Sequence, residues 1–316
     1  MNDRAFLFPG QGSQAVGMGL DLYEKSDFAK KTFRIADEIL GYPLSRVCFS
    51  GPEEELKLTS NTQPALLTVS YILYTLWQKE PLVAAGHSLG EYSALLCAGA
   101  LRFEDAVALV HKRGRYMQEA VPVGKGAMAA LIGADIDLLR RTVEALNREN
   151  ASRPAQPGEV RRVVNLANWN SAGQVVISGE KGAVEEAARR LGVKTVFLPV
   201  SAPFHSELML PAEERLAADL DRVAFADPGF PVINNWQVHR VTKAAEAREG
   251  LKMQVSRPVR WHETQETLLA DTAISGFAEI GSGRVLAGLL KRAAREKNRQ
   301  VRIVNIENLA DIEKNA

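Results

Sequence analysis

The sequence predicts an α/β fold: a large domain on a largely parallel sheet, with a small ferredoxin-like βαββαβ domain inserted into it. Three observations lead there. Apolar runs that read as strands are each followed by a glycine turn and a helical pattern: Ala5–Phe8 before Pro9-Gly10-Gln11-Gly12, Leu82–Ala85 before Gly86, and Gly276–Ile280 before Gly281-Ser282-Gly283. Such alternation belongs to parallel strands joined by crossover helices. Residues 125–200 keep a different order, strand, helix, strand, strand, helix, strand, which is that of a ferredoxin-like unit. Finally, 316 residues at 46% hydrophobic and 24% charged content suffice to bury a substantial core and argue against disorder.

Along the chain, Ala5–Phe8 opens the large sheet and Leu82–Ala85 supplies its second strand. In the insert, Ala127–Ile132 reads as a strand, Asp135–Asn147 as a helix, and Val163–Ala167 and Gln174–Ser178 as strands around a turn. Lys181–Leu191 then reads as a helix and Lys194–Val200 as a strand. The Pro-rich polar stretch 150–159 keeps no helical or strand period and is expected to be a surface loop. Val232–Asn234, Gly276–Ile280 and Arg302–Asn305 add strands to the large domain. The expected boundaries are 1–124 with 202–316 for the large domain and 125–201 for the insert.

Lys and Arg number 39 against 38 Asp and Glu, a net charge of +1, so no global field draws the chain to nucleic acid or to an anionic membrane. The apolar run Ala5 to Pro9 is too short for a signal segment, and no later stretch approaches a membrane span. A cytoplasmic monomer is expected. Cys48 and Cys97 fit no metal spacing, and with five histidines neither a metal site nor a cofactor is expected. Both cysteines read as reduced core residues.

The chemistry is carried by Gly86-His-Ser-Leu-Gly90. Gly-x-Ser-x-Gly between a strand and a helix is the nucleophile-elbow pattern, in which small flanking residues allow a tight, strained turn that projects the hydroxyl outward. A chance match in an ordinary βα turn is the alternative; the placement after a strand favours the elbow. The helix N-terminus beside Ser88 favours negative charge, so the Leu89 amide is placed to bind the oxyanion formed when Ser88 attacks a carbonyl. A serine needs a base. His87 adjoins the nucleophile and should point to the other side, while His239 and His262 lie in polar stretches and are expected at the surface. His111 on a helix and His205 in the Pro203-stiffened loop leaving the insert both remain open, with His205 favoured.

Two glycine motifs compete for attention. Gly10-x-Gly12-x-x-Ala15 superficially fits a dinucleotide fingerprint, but Gly17 and Gly19 would fall inside the required helix, and no strand ending in an acidic residue follows at the usual distance. A backbone-donor loop is the better reading. Gly281-x-Gly283 reads as tight strand-to-helix packing rather than a phosphate loop. On the helix from Phe103 to Met117, Ala106, Leu109, Val110, Arg113 and Met117 share one stripe, which sets a guanidinium on an apolar face. Two readings are open: an ion pair with a core carboxylate, or a fork that binds a substrate carboxylate bidentately.

Phe8-Pro-Gly-Gln-Gly-Ser-Gln14, Thr62-Gln-Pro-Ala65, Gly86-His-Ser-Leu-Gly-Glu91, Arg113 before Met117-Gln-Glu-Ala120, Ala167-Asn-Trp-Asn-Ser-Ala-Gly-Gln174 and Ala202-Pro-Phe-His205 together closely resemble the malonyl-CoA:acyl-carrier-protein transacylases, acyltransferases of fatty-acid and polyketide synthesis. The match continues through Gln254 in Gln-Val-Ser-Arg-Pro-Val-Arg-Trp261 and Gly281-Ser-Gly-Arg-Val-Leu286, in order, over nearly the whole chain. The resemblance implies an α/β-hydrolase-like core with a ferredoxin-like insert. It implies Ser88 as nucleophile, His205 as base, the backbone amides of Gln11 and Leu89 as oxyanion hole, and main-chain carbonyls, that of Gln254 among them, in place of an acidic third member. Arg113 matches the family's malonate-binding arginine, with Gln254, Met117 and Phe204 also at the substrate. Phe204 and Leu89 resemble the malonyl-selective versions of two specificity positions.

The implied reaction is a ping-pong transfer of malonyl from malonyl-CoA, a substrate rather than a cofactor, to the phosphopantetheine thiol of acyl carrier protein. A serine acyl hydrolase, or a trans-acting polyketide acyltransferase with a different carrier protein, is the alternative. Arg113 discriminates against a hydrolase of neutral acyl chains, which has no use for a buried cation. From Arg284 to Arg302 seven basic residues face a single acid, Glu296. Lys291, Arg292 and Arg295 are the candidates for docking an acidic carrier protein, with a solvated helix face as the alternative.

Overall fold

Ten strands are found among the described residues, which in this computed structural model are 3–152, 159–200 and 202–316. In chain order they are β1 (Arg4–Phe8), β2 (Val83–Gly86), β3 (Gly126–Ile132), β4 (Val164–Ser171), β5 (Gln174–Glu180), β6 (Lys194–Phe197), β7 (Val232–Ile233), β8 (Arg240–Val241), β9 (Gly276–Ile280) and β10 (Arg302–Ile306). They form a six-stranded sheet ordered β10-β9-β1-β2-β7-β8 and a four-stranded sheet ordered β4-β5-β3-β6. In the larger sheet only β8 runs antiparallel.

Strand β1 shows why the larger sheet is apolar on both faces. Alternate residues point to opposite sides: Phe6 and Phe8 enter one core, Ala5 and Leu7 the other. Helices Thr59–Trp77 and Phe103–Glu119 contribute to the first core, and helices Trp261–Ala270 and Val285–Glu296 to the second. A parallel sheet covered on both faces reads as near-continuous hydrophobic strands. Phe8 pairs in register with Gly86, so the turns leaving β1 and β2 lie side by side at the carboxyl ends of the strands. The chain moves outward from β1 in both directions, to β2 and to β9, which is where open α/β sheets place their ligands.

The smaller sheet has every neighbour antiparallel, and its order is that of the predicted βαββαβ unit. Helices Ile136–Ala151 and Lys181–Leu191 cover one face together with Ala129, Leu131 and Ile177. Met128, Ala130 and Val176 point the other way and join the larger core.

Local chemistry explains where boundaries differ from expectation. Helix Ile136–Ala151, capped by Asp135, runs past the expected end at Asn147, because Asn147 exchanges two hydrogen bonds with the Val164 backbone and ties this turn to β4. Asn150 and Ala151 of the expected loop are therefore helical; its residues 153–158, like boundary residue 201, lie outside the described residues. Strand β6 stops at Phe197 instead of Val200. The helix N-terminus after Gly281-Ser-Gly283 is already occupied: Glu279 accepts from Leu286 N and Ala287 N at 3.1 and 2.7 Å, where a phosphate loop would hold its ligand. Cys48 and Cys97 are buried and unpaired. Among the described residues no helix is long and apolar enough to cross a membrane.

Candidate active site

Strand β2 ends at Gly86 and helix Leu89–Cys97 begins at Leu89, so His87 and Ser88 alone reverse the chain. Ser88 takes φ 51° and ψ −105°, a conformation a serine adopts only when its surroundings impose it. Asn235, just after β7, imposes it from both sides: its Oδ1 accepts from Ser88 N at 2.7 Å and its Nδ2 donates to Gly86 O at 2.7 Å. Glycine is required at both flanks, since a Cβ on Gly86 would lie 1.9 Å from Gly90 O and one on Gly90 2.0 Å from Phe8 O. The close approach of β1 brings Gln11 beside Leu89, and both line the same cavity as Ser88. The Leu89 N–H, first in its helix, has no intrahelical acceptor.

His205 Nε2 lies 2.8 Å from Ser88 Oγ. Its Nδ1 lies 3.0 Å from Gln254 O and 3.1 Å from Arg257 O. Carbonyls only accept, so the proton is on Nδ1 and the Nε2 lone pair faces the serine hydroxyl. Gln254 O is the last carbonyl of helix Ala244–Gln254, where an α-helix leaves its C=O groups unpaired, and Arg257 O lies three residues beyond that end. The helix end thus orients the imidazole as a carboxylate does in a triad. The loop is pinned where Ser206 Oγ donates to Pro203 O at 2.6 Å and Glu207 N donates to Asn165 Oδ1 at 3.0 Å.

Burial, and next the nearby Arg113 guanidinium, push the His205 imidazole down to about 3, so it is neutral and able to accept a proton at pH 7. As pH falls through a depressed pKa the base is lost, so the acid limb of kcat/KM should lie well below the ordinary histidine range. His205→Ala should slow acylation and deacylation by roughly two to four orders of magnitude. His111→Ala should leave the chemistry nearly intact. Its Nδ1 donates at 2.9 Å to Ser60 O, the carbonyl left open in helix Thr59–Trp77 because Pro64 has no N–H. A limb at 6.5, or a more damaging His111→Ala, would move the base elsewhere.

Arg113 is 2% exposed on the helix face shared with Ala106, Leu109, Val110 and Met117. Its Nη1 donates to Gln63 Oε1 at 2.8 Å, and its Nη2 to Gln254 Oε1 at 2.9 Å and to Ser88 Oγ at 3.0 Å. The guanidinium stands 5.4 Å from the centre of the Tyr92 ring. Among the described residues no carboxylate bonds to it, and Nε has no partner. A buried cation held by neutral amides, a hydroxyl and a ring keeps its attraction for an incoming anion. The cavity it borders measures about 120 Å³; Leu89, Met117 and Phe204 line it with Met128 of β3 and Leu198 and Val200 beyond β6.

Of the remaining histidines, His87 lines the same cavity as Ser88, and His239 and His262 do not. His87 Nε2 meets Asn170 Oδ1 at 2.9 Å with its ring against Trp261. His239 is exposed. His262, expected at the surface, is not there: its side chain is 12% exposed, because Trp169 of β4 covers it with ring centres 4.6 Å apart. No group of three metal-ligating side chains is found among the described residues. Three site residues escaped the sequence reading, namely Gln63, Glu91 and Asn235. Gln63 and Glu91 sit inside recognised motifs; a polar residue on an otherwise buried helix is the signal that marks Gln63, whereas Glu91, a first-turn acid, and Asn235 carry no such signal.

Residues 5–312 match the acyl transferase domain family. The malonyl CoA-acyl carrier protein transacylase of Bacillus subtilis strain 168 is 45% identical over 320 residues, which cover 99% of this chain and 96% of that one. The solved structure of the Coxiella burnetii malonyl CoA-acyl carrier protein transacylase is similar at a TM-score of 0.89 and 42% identity, over 99% of this chain and 96% of that one. A malonyl-transacylase in complex with its type II PKS acyl-carrier protein is similar at a TM-score of 0.88 and 42% identity, over 99% and 98%. Such identity, sustained from end to end on one backbone, means that the chain belongs to the acyl transferase domain family and, within it, to the malonyl CoA-acyl carrier protein transacylases.

Proposed function

We propose that this acyltransferase carries malonyl from malonyl-CoA to the phosphopantetheine thiol of acyl carrier protein, for fatty-acid synthesis in the cytoplasm, through a malonyl ester of Ser88. The observation that carries the reading is Arg113: buried, with no carboxylate hydrogen-bonded to it among the described residues, and 3.0 Å from Ser88 Oγ. In a malonyl ester the free carboxylate stands one methylene beyond the reacting carbonyl, within reach of that guanidinium, which suits bidentate pairing.

His205 Nε2 takes the Ser88 proton as Oγ attacks the thioester carbon. The Gln11 and Leu89 amides receive the oxyanion, at roughly 3–4 kcal/mol per donor. The adduct collapses with cleavage of the C–S bond, and the imidazolium returns its proton to the departing CoA thiolate. In the second half the carrier's thiol gives its proton to His205 and attacks the ester, and Ser88 is restored. Pairing of Arg113 with the substrate carboxylate offsets the positive charge that holds His205 down, so the imidazole is a stronger base in the complex than in the free enzyme. Residues 125–201 act in this reading as an inserted domain that closes the outer wall, supported by its separate core and by Met128 and Leu198 at the cavity.

The carrier protein is assigned to the face of helix Val285–Glu296. Arg292 pairs with Glu296, Lys297 with Glu266 and Arg284 with Glu307, and Arg299 donates to the carbonyls of Leu269, Asp271 and Ile274. Lys291 and Arg295 are exposed, and they are the residues of this run best placed to steer an acidic partner.

The reading is tested by acyl-enzyme capture from malonyl-, methylmalonyl- and acetyl-CoA, followed by a chase with carrier protein or water. Malonyl should load fastest and leave faster to the carrier than to water. An α-methyl group meets a cavity lined by Phe204 and Leu89; overpacking of about 1–3 kcal/mol should lower kcat/KM for methylmalonyl-CoA by about 5- to 150-fold. Equal constants for the two would remove the steric role of Phe204, and a faster chase by water would favour the hydrolase.

A further inference from the structure

Glu91 lies three residues beyond Ser88, on the helix that Ser88 heads, 1% exposed, and no step above uses it. Its Oε2 accepts two hydrogen bonds, from Asn235 N at 2.9 Å and from Gln254 Nε2 at 2.8 Å. Both donors lead to the site. Asn235 is the residue whose side chain grips Ser88 N and Gly86 O. Gln254 also donates through Nε2 to Ser88 O at 2.8 Å, which leaves its Oε1 to accept from Arg113 Nη2 at 2.9 Å.

An amide has one accepting end and one donating end. Turned by half a rotation, Gln254 would present N–H groups to a guanidinium that only donates, and the Arg113 fork would lose its support. Glu91 Oε2 and Ser88 O, both acceptors, hold the donating end away from Arg113. Burial pushes the Glu91 carboxyl up to about 7; with its proton on Oε1, both hydrogen bonds at Oε2 persist.

We infer that Glu91 is a positioning residue whose Oε2 fixes the Gln254 amide with its oxygen toward Arg113 and anchors Asn235 behind the elbow, so that one buried oxygen sets the register between the nucleophile and the guanidinium that reads the acyl carboxylate. The role is geometric: Glu91 makes no hydrogen bond to Arg113, the two interact only as neighbouring charges, and the contact that places the guanidinium runs through Gln254.

This role rests on the reading of Arg113 given above, and the wild type keeps the two apart: a wild type that loads malonyl and acetyl equally well removes the reading of Arg113 itself. Where wild type prefers malonyl, the readout is the ratio of kcat/KM for acyl-enzyme formation from malonyl-CoA over acetyl-CoA, in Glu91→Gln, Glu91→Asp and Glu91→Ala. Gln places a carbonyl oxygen where Oε2 stands and should keep the ratio within about threefold of wild type. Asp keeps the charge but, one methylene shorter, cannot reach both donors, and should lower the ratio by about tenfold or more. Ala should fall at least as far; if it does not fold, Asp and Gln decide. A ratio better preserved by Asp than by Gln would make the charge, not the placement, the active feature and overturn the inference. An equal fall for both donors, with the ratio unchanged in Asp, would overturn it as well, leaving Glu91 a packing residue.

Discussion

Ser88→Ala is expected to form no covalent adduct with radiolabelled malonyl-CoA and to lose about six orders of magnitude in transfer to carrier protein, the scale set when the nucleophile of a serine–histidine unit is removed. The loss should be chemical rather than structural. The backbone at Ser88 is held by Asn235 through main-chain atoms on both sides of the turn, and alanine keeps those atoms. What disappears is the one oxygen that both His205 Nε2 and Arg113 Nη2 contact. Residues that act as a unit are not additive, so Ser88→Ala combined with His205→Ala should be no slower than Ser88→Ala alone. Labelling retained on another residue would remove Ser88 as nucleophile, and a double variant much slower than the single would make the two side chains independent contributors. Thermal melts of each variant keep the comparison to folded protein.

What the sequence shows of this arrangement, and what it does not, follows from the range of each interaction. The elbow is local: strand, two turn residues and helix occupy Val83–Cys97, and Gly86 and Gly90 are required by backbone contacts within that turn and with the neighbouring Phe8. The Gly-x-Ser-x-Gly motif after an apolar run therefore reveals it, whereas the assignment of Phe6 and Phe8 to one core and Ala5 and Leu7 to the other comes only from the fold. Arg113 is visible because a cation interrupts an apolar stripe at helical spacing. Asn235 is different, for it joins Gly86 and Ser88 across about 150 residues, and the two-residue strand before it has no period to read. Glu91 looks like any first-turn acid on a helix, a position where carboxylates are ordinarily exposed and favoured by the helix dipole; only the fold shows that Gln254 and Asn235 enclose it. His262 misleads for the same reason, since its own helix is polar and its cover, Trp169, comes from the insert.

Arg113→Ala is expected to separate malonyl from acetyl. A malonyl carboxylate left in the pocket without its partner is desolvated and unpaired, a cost of roughly 3–5 kcal/mol, or about two to four orders of magnitude in kcat/KM. Acetyl-CoA brings no carboxylate, so its slow loading should survive or rise in a pocket now neutral. Arg113→Lys should recover little, because a compact ammonium cannot reproduce the planar fork that meets Gln63 Oε1 and Gln254 Oε1 together. A second readout follows from His205, whose imidazole is held down first by burial and then by the Arg113 charge. With the guanidinium gone, its pKa rises toward the ordinary histidine value, and the acid limb of acetyl loading should move to higher pH than in wild type. Loss of both substrates in parallel, with a collapse of Tm and no movement of the acid limb, would instead make Arg113 a structural residue, its hydrogen bonds to Gln63 and Gln254 serving the core rather than the acyl group.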